Sequence, residues 1–63
     1  MVYGDMNARE NLAFFAKLYG LEDREPLIKT TLKAVGLHRR AEEPVRTFSR
    51  GMAQRLALSL IHI

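Results

Sequence analysis

A short polar turn near residue 50 carries the side chains with the clearest potential to bind a ligand. Ser49 precedes a run with helical spacing, and serine is a preferred N-cap because its hydroxyl accepts a hydrogen bond from a first-turn N–H. A helix that begins here would direct unpaired N–H groups and the positive end of its dipole towards Ser49 and Gly51. Gly51 lacks a Cβ, so a ligand can approach the backbone. These features suit phosphate.

The charge around this turn is positive, and the charge of the whole chain is mildly so. Arg46, Arg50 and Arg55 flank the turn, and no acidic residue lies between Arg46 and Leu58. The 63 residues include ten Lys or Arg and seven Asp or Glu, a net charge of +3. Such an excess permits contact with phosphates or an acidic partner without requiring either.

Size and composition exclude several classes of protein. With 48% hydrophobic and 27% charged residues, the composition is that of a globular domain. The chain has no cysteine, which excludes a disulfide framework and a thiolate metal site. No apolar run approaches the ~20 residues of a membrane span. The N-terminus has no basic region followed by an apolar stretch, so we expect no secretory signal.

Two amphipathic helices are predicted to pack as a hairpin. The first begins after Asn7, with Glu10 three residues later as in a capping box, and ends at Gly20. The second begins after Asp23, which we expect to cap it, and ends at Gly36. The tight link between them favours direct packing of one helix on the other.

A third helix is predicted to follow the Ser49 turn. Val45 and Phe48 are the apolar residues expected to anchor that turn, and the helix runs from about Arg50. Its apolar stripe comprises Met52, Leu56 and Leu60. No stretch alternates as a strand would, so the fold class is all-α, a helical hairpin plus a third helix.

The turn and its helix resemble a family motif. Phe48-Ser49-Arg50-Gly51-Met52, followed by Gln54-Arg55-Leu56-Ala57-Leu58, is similar to the LSGGQ signature of ABC-type ATPases. Ser49 and Gly51 match its serine and second glycine, whereas Phe48, Arg50 and Met52 depart from it. Upstream, Arg9-Glu10-Asn11-Leu12 matches the segment that follows the Q-loop of that family.

The resemblance runs in one register from Tyr3 to Leu58. It implies that residues 1–58 correspond to the helical subdomain of an ABC-type P-loop ATPase, whose parent fold is α/β. The methionine at the end of the signature resembles exporter subunits of haem-exporter-like and drug-exporter-like branches. The implied parent couples ATP hydrolysis to export, at the cytoplasmic face of the bacterial inner membrane, as a peripheral protein.

The resemblance also implies roles for the residues of the turn. Ser49, Arg50, Gly51 and Met52 would face the γ-phosphate of ATP, accompanied by Mg²⁺, on the Walker A loop of a second ATP-binding subunit. Gln54 and Arg55 would support the turn through hydrogen bonds to neighbouring backbone, or else form a solvated helix face. The other implied partner is a transmembrane permease subunit, and no nucleic acid is expected.

Three aromatic side chains of the first helix leave two interpretations open. Phe14, Phe15 and Tyr19 either line part of a groove for a helix of the permease or belong to the core of the hairpin. We expect at least two of them to be core residues.

The motifs that hold and hydrolyse nucleotide are not found in these residues. No G-x-x-x-x-G-K-[ST] loop occurs, and neither Asp5 nor Asp23 follows an apolar run as a Walker B acid does. His38 and His62 have no partner at metal-ligand spacing. We therefore expect no catalytic residue, no metal site and no ATPase activity from this chain alone.

A small basic helical module that binds nucleic acid is the alternative function. Arg46, Arg50 and Arg55 could contact phosphates in that case. The modest net charge and the acidic residues spread through the first two helices argue against it. Chromosome-structural and DNA-repair ATPases share the signature, but they have long coiled coils, and no sustained heptad occurs here.

The last five residues depart from the family pattern. After Leu58 the family continues as Ala-Arg-Ala-Leu, whereas residues 59–63 read Ser-Leu-Ile-His-Ile. Residues 58–63 can be back-translated as CTG TCT CTT ATA CAC ATC, which resembles the transposon end used in sequencing-library preparation. The hypothesis is that residues 59–63 are not native sequence, and an apolar helix end is the alternative.

Overall fold

The computed structural model describes residues 3–61 and contains three α-helices. Helix α1 spans Ala8–Leu18, α2 spans Arg24–Ala34 and α3 spans Arg50–Ile61. Two turns of 3-10 helix, His38–Arg40 and Val45–Thr47, lie in residues 37–49, which we call the connector. No strand occurs within residues 3–61, and the all-α prediction is confirmed.

The start and end of α1 follow the local sequence signals. The Asn7 side chain accepts a hydrogen bond from the Glu10 N–H at 2.7 Å, and the Glu10 carboxylate accepts one from the Asn7 N–H at 2.9 Å. At the other end, Gly20 has φ +71°, and the Leu21 N–H donates to the Ala16 carbonyl at 3.0 Å. The predicted capping box and glycine stop are both confirmed.

Helix α2 ends like α1 but begins differently. Gly36 has φ +73°, and the Leu37 N–H donates to the Leu32 carbonyl at 2.9 Å. Asp23 precedes the helix with φ 52°, and its side chain makes no capping hydrogen bond. The prediction that Asp23 caps α2 is therefore wrong. An N-cap needs extended backbone to aim its side chain at the first turn, and Asp23 is in the left-handed region.

The core forms where α1 packs against both α2 and α3. Leu12, Ile28 and Leu56 are fully buried in it, one from each helix. The connector contributes Val45, which is buried, and Phe48, which is half-buried against the core. Both residues anchor the Ser49 turn as predicted. The buried apolar residues are Ala8, Leu12, Ala16, Ile28, Leu32, Leu37, Ala41, Val45, Leu56 and Leu60.

The aromatic side chains of α1 are less buried than the sequence suggested. Phe15 packs against the core, whereas Phe14 is 39% exposed and Tyr19 is 55% exposed. The expectation that at least two of the three are core residues is wrong. The buried face of α1 is centred on Leu12, and Phe14, two residues further on, lies roughly 200° around the helix.

The C-terminal residues of the described chain continue α3. Ser59 and Leu60 are buried, and the Ser59 hydroxyl donates to the Leu56 carbonyl at 2.6 Å. His62 and Ile63 lie outside the described residues. The hypothesis about the origin of residues 59–63 stays a prediction. Among the helices of residues 3–61, none is long and apolar enough to cross a membrane.

Candidate functional site

The candidate site is the first turn of α3, residues 49–52, which we call the α3 tip. The Met52 N–H donates to the Ser49 hydroxyl at 3.2 Å, and the Ala53 N–H donates to the Ser49 carbonyl at 2.9 Å. Ser49 therefore caps α3 with its side chain, as the sequence predicted. Met52 is half-buried against the core and fixes the tip to it.

The tip presents hydrogen-bond donors to solvent. The N–H groups of Arg50 and Gly51 belong to the unpaired set at a helix start, and no acceptor for them is found within residues 3–61. Ser49, Arg50 and Gly51 are exposed, and a Cβ added to Gly51 would meet no atom within 4 Å. The first turn contains no acidic side chain. Donor groups, the helix dipole and the Arg50 charge together suit an anion.

Gln54 and Arg55 follow the tip on α3. Within the described part of the chain, neither side chain makes a hydrogen bond to the backbone of residues 49–52. Both are exposed, and the Arg55 guanidinium lies at the end of α2, where its Nη1 atom would be 3.4 Å from a Cβ built on Gly36. The two interpretations of these residues, support of the turn and a solvated helix face, stay predictions.

The connector that leads to Ser49 is bound along the start of α1. The Ala41 carbonyl accepts a hydrogen bond from the Arg9 N–H at 3.2 Å. The Val45 N–H then donates to the Met6 carbonyl at 3.0 Å, and the Arg46 N–H donates to the Gly4 carbonyl at 3.1 Å. We call residues 3–7 the leading segment. Its backbone pairing fixes the connector up to three residues before Ser49.

Asn11 ties the leading segment to α1. Its side chain is fully buried, and its Oδ1 atom accepts a hydrogen bond from the Tyr3 N–H at 2.7 Å. The Nδ2 group donates to the Tyr3 carbonyl at 3.1 Å and to the Asn7 carbonyl at 3.0 Å. In the sequence, Asn11 stands out only as part of the Arg9-to-Leu12 motif. Its position beside Leu12 on the apolar face was the available signal, because a buried amide requires partners.

Arg9 links three parts of the structure. Its Nε group donates to Glu42 of the connector at 2.8 Å, and its Nη1 group donates to Glu25 of α2 at 3.0 Å. The hydrogen bond to Glu42 is the main reason that the pKa of Arg9 is raised. Both carboxylates are largely exposed, so each pair contributes little to stability.

Each residue of the Arg9-Glu10-Asn11-Leu12 motif therefore has a separate structural role. Arg9 pairs with the connector and α2, and Glu10 closes the capping box. Asn11 holds the leading segment, and Leu12 fills the core. The motif fixes the leading segment and the connector, and the connector leads to the α3 tip.

A second surface of interest is aromatic. The ring of Phe14 lies edge-on to those of Tyr3 and Phe15, with ring centroids 5.3 and 5.4 Å apart. Tyr3 is 43% exposed and Phe14 is 39% exposed. We call Tyr3, Phe14 and Phe15 the aromatic patch. Exposed apolar groups that lie together in this way are typical of a surface covered by another protein segment.

Comparison with known proteins identifies several similar sequences. Cytochrome c biogenesis ATP-binding export protein CcmA 2 of Cupriavidus metallidurans is 40% identical over 58 residues, which cover 92% of this chain and 28% of that protein. Linearmycin resistance ATP-binding protein LnrL of Bacillus subtilis is 38% identical over 65 residues, which cover 97% of this chain and 21% of that protein. ABC transporter ATP-binding protein NatA of Bacillus subtilis is also 38% identical over 65 residues, which cover 97% of this chain and 26% of that protein.

These similarities place the chain in a family. It belongs to the ABC transporter ATP-binding proteins, as the two sequence motifs suggested, and it corresponds to one segment of them. The chain spans between 20% and 28% of the length of the curated relatives it matches. The relatives do not favour the nucleic-acid-binding alternative. No family model matches the chain, and no solved structure matches it.

Proposed function

We propose that this chain contributes the α3 tip to an ATP molecule bound by a second ATP-binding subunit of an ABC exporter. The observation that carries the proposal is the exposed first turn of α3, with Ser49 as its cap and no acceptor within residues 3–61 for the Arg50 and Gly51 N–H groups. The family similarity supplies the class of ligand. The chain would act as one wall of a nucleotide site shared between two proteins.

The chemistry of the tip fits the γ-phosphate. The two open N–H groups can donate to phosphate oxygens, and Gly51 leaves space for them to approach. Arg50 adds a positive charge at the same helix end, where an anion is already favoured by the dipole. No carboxylate lies in this turn, so the Mg²⁺ that accompanies ATP would be held by residues outside it.

The proposed role of these residues is to bind and orient. They would hold the γ-phosphate against the second subunit, so that ATP joins the two proteins and its hydrolysis separates them. Hydrolysis itself requires a phosphate-binding loop and a metal-binding acid, and neither motif occurs in this sequence. The coupled process would be export, in keeping with the names of two relatives, an export protein and a resistance protein.

The aromatic patch is a candidate contact surface for a second partner. We propose that it contacts the transmembrane permease subunit, with the ATP-binding protein lying at the cytoplasmic face of the bacterial inner membrane. The partly exposed rings of Tyr3 and Phe14 offer apolar area that a helix or loop of the permease could cover. The patch includes Tyr3, the first residue of the leading segment. That segment is hydrogen-bonded to the connector, which leads to the α3 tip.

Ser49→Arg tests the nucleotide role in a full-length ATP-binding protein that carries this segment. The larger cationic side chain would occupy the space meant for phosphate, so ATP hydrolysis should be abolished. Nucleotide binding to the protein's own Walker A loop should stay nearly intact. The measurements are steady-state phosphate release and equilibrium binding of a fluorescent ATP analogue.

The matched control for this experiment is Thr30→Arg, which places the same side chain on the exposed face of α2. It should leave phosphate release unchanged. Unchanged turnover in the Ser49 variant would count against the proposed role of the tip. Equal loss in both variants would attribute the effect to added charge and would also contradict it.

Phe14→Asp tests the permease contact in the same full-length protein. A charge on the aromatic patch should prevent co-purification with the permease, while basal phosphate release of the free ATP-binding protein should change less than about twofold because the α3 tip is untouched. Thr30→Asp is the control on α2 and should co-purify normally. Normal recovery of the permease with the Phe14 variant would reject the aromatic patch as the contact.

A further inference from the structure

We propose that Asn11 is a positioning residue for the α3 tip and acts through the leading segment and the connector. The inference rests on the proposed function of the tip, because it assigns a task to a residue that touches no ligand. It is carried by hydrogen bonds that link Asn11 to the leading segment, the leading segment to the connector, and the connector to itself up to the residue before Ser49.

The first link is the buried amide. Asn11 holds both backbone polar groups of Tyr3, accepting from its N–H at 2.7 Å and donating to its carbonyl at 3.1 Å. A third hydrogen bond, to the Asn7 carbonyl at 3.0 Å, fixes the orientation of the side chain. Three of the four hydrogen bonds that a carboxamide can make are therefore in use, with no exposure to water. The leading segment is held at one position relative to α1.

The second link is the pairing between the leading segment and the connector. The Gly4 carbonyl accepts from the Arg46 N–H at 3.1 Å, and the Met6 carbonyl accepts from the Val45 N–H at 3.0 Å. Asn7 and Pro44 form a further bridge beside them. These contacts join residues nearly forty positions apart in sequence. A shift of the leading segment would therefore move the connector.

The third link is the short 3-10 turn that precedes the tip. The Phe48 N–H donates to the Val45 carbonyl at 2.9 Å, and the Thr47 N–H donates to the Pro44 carbonyl at 3.0 Å. Val45 is buried beneath this turn. Ser49 follows directly, and its hydrogen bonds within residues 3–61 are made only inside α3. The connector is thus the polar attachment that locates the tip relative to α1.

A phosphate-binding turn needs this kind of support. Donor groups must be held within about 0.5 Å of the productive geometry, which requires neighbours that fix their position. Loss of the Asn11 amide would free the leading segment and allow the connector to open locally. The α3 helix itself, which is rooted by Leu56 and Leu60, would remain packed.

Amide hydrogen exchange on the 63-residue chain tests the proposal without nucleotide. Asn11→Leu replaces the carboxamide by an apolar side chain of similar shape and removes all three hydrogen bonds. The protection of the Val45 and Arg46 N–H groups should fall about tenfold relative to that of the Leu32 N–H in α2. The nuclear magnetic resonance signals of the Gly51 and Met52 N–H groups should shift and broaden.

Leu12→Ala is the control, since it weakens the core at the neighbouring position and leaves the Asn11 amide in place. It should lower protection by the same factor in the connector and in α2. Asn11→Asp is the second variant, which keeps the acceptor for the Tyr3 N–H and loses the two donated hydrogen bonds. It should reproduce the selective loss in the connector.

Three results would overturn the proposal. One is an unchanged ratio of connector to α2 protection in both Asn11 variants. Another is unchanged tip signals when the connector opens. The third is failure of both variants to fold, which would show that Asn11 supports the whole structure and not the tip in particular. Because the measurement uses no ATP, its outcome is independent of the Ser49→Arg result, and either inference can fail alone.

Discussion

Helices α1 and α3 both begin with a side-chain N-cap, but they differ in how many of their first N–H groups are hydrogen-bonded within the chain. At α1, the Asn7 side chain accepts from the Glu10 N–H, the Glu10 carboxylate accepts from the Asn7 N–H, and the Ala41 carbonyl accepts from the Arg9 N–H. At α3, the Ser49 hydroxyl accepts from the Met52 N–H at the longer distance of 3.2 Å. These three donors at the start of α1 are therefore engaged inside the chain, whereas the Arg50 and Gly51 N–H groups of α3 have no acceptor within residues 3–61.

The charged side chains at the helix starts also differ, because α1 and α2 each have a carboxylate in the first turn and α3 has none. The first turn of α1 contains Glu10 and that of α2 contains Glu25, each placed where a negative charge is favoured by the helix dipole. The first turn of α3 has no acid and begins with Arg50. An unneutralised helix start costs stability in an isolated chain. An anionic ligand, as in the proposed function, would supply that negative charge.

Alanine variants of the two N-cap residues, Asn7 and Ser49, should show the largest difference in stability between these helix starts. Asn7→Ala removes the capping bond to Glu10 and the side-chain contact with Glu42, so the free energy of unfolding should fall by about 1–2 kcal/mol. Ser49→Ala removes one longer bond at an exposed turn and should cost only about 0.5 kcal/mol. Urea unfolding of the 63-residue chain, followed by far-ultraviolet circular dichroism, measures both values.

The control for the cap variants is Asn7→Ser, which restores a side-chain acceptor and should recover most of the lost stability. If Ser49→Ala lowers the free energy of unfolding by as much as Asn7→Ala or more, the start of α3 contributes as much to stability as the start of α1. The proposed difference between the two helix starts is then not supported.

The features that the sequence predicted correctly depend on residues close together in the chain. The capping box joins Asn7 and Glu10, and the glycine stops at Gly20 and Gly36 each use the preceding helical turn. The Ser49 cap spans three residues. Such signals depend on side-chain type and spacing alone, because the geometry of one helical turn is the same in every protein.

The features that were missed depend on how distant segments meet. Asp23 fails as a cap because the link after Gly20 places it in the left-handed region. Phe14 is partly exposed because the face of α1 that packs is decided by α2 and α3, and the rings of Tyr3 and Phe15 cover it only in part. The pairing of Met6 with Val45 carries no local signal. These are outcomes of packing, which a single-sequence pattern does not encode.

Gly51→Ala is expected to have the smallest effect, and it should raise the stability of the chain while it lowers ATP hydrolysis. Gly51 lies inside α3, has no positive φ, and has open space where a Cβ would stand. Gly51→Ala should therefore stabilise the 63-residue chain by about 0.5 kcal/mol, through higher helix propensity and a less flexible unfolded chain. Gly36→Ala is the control and should destabilise the chain, because its φ of +73° disfavours a side chain.

In a full-length ATP-binding protein, the same Gly51→Ala variant should lower phosphate release, because its methyl group would occupy the approach to the open N–H groups. A helix start shaped only for folding would gain stability from this change and lose nothing. A variant that is both more stable and fully active would therefore break the distinction between the starts of α1 and α3. A more stable, less active variant would show that glycine is kept at this position for the ligand.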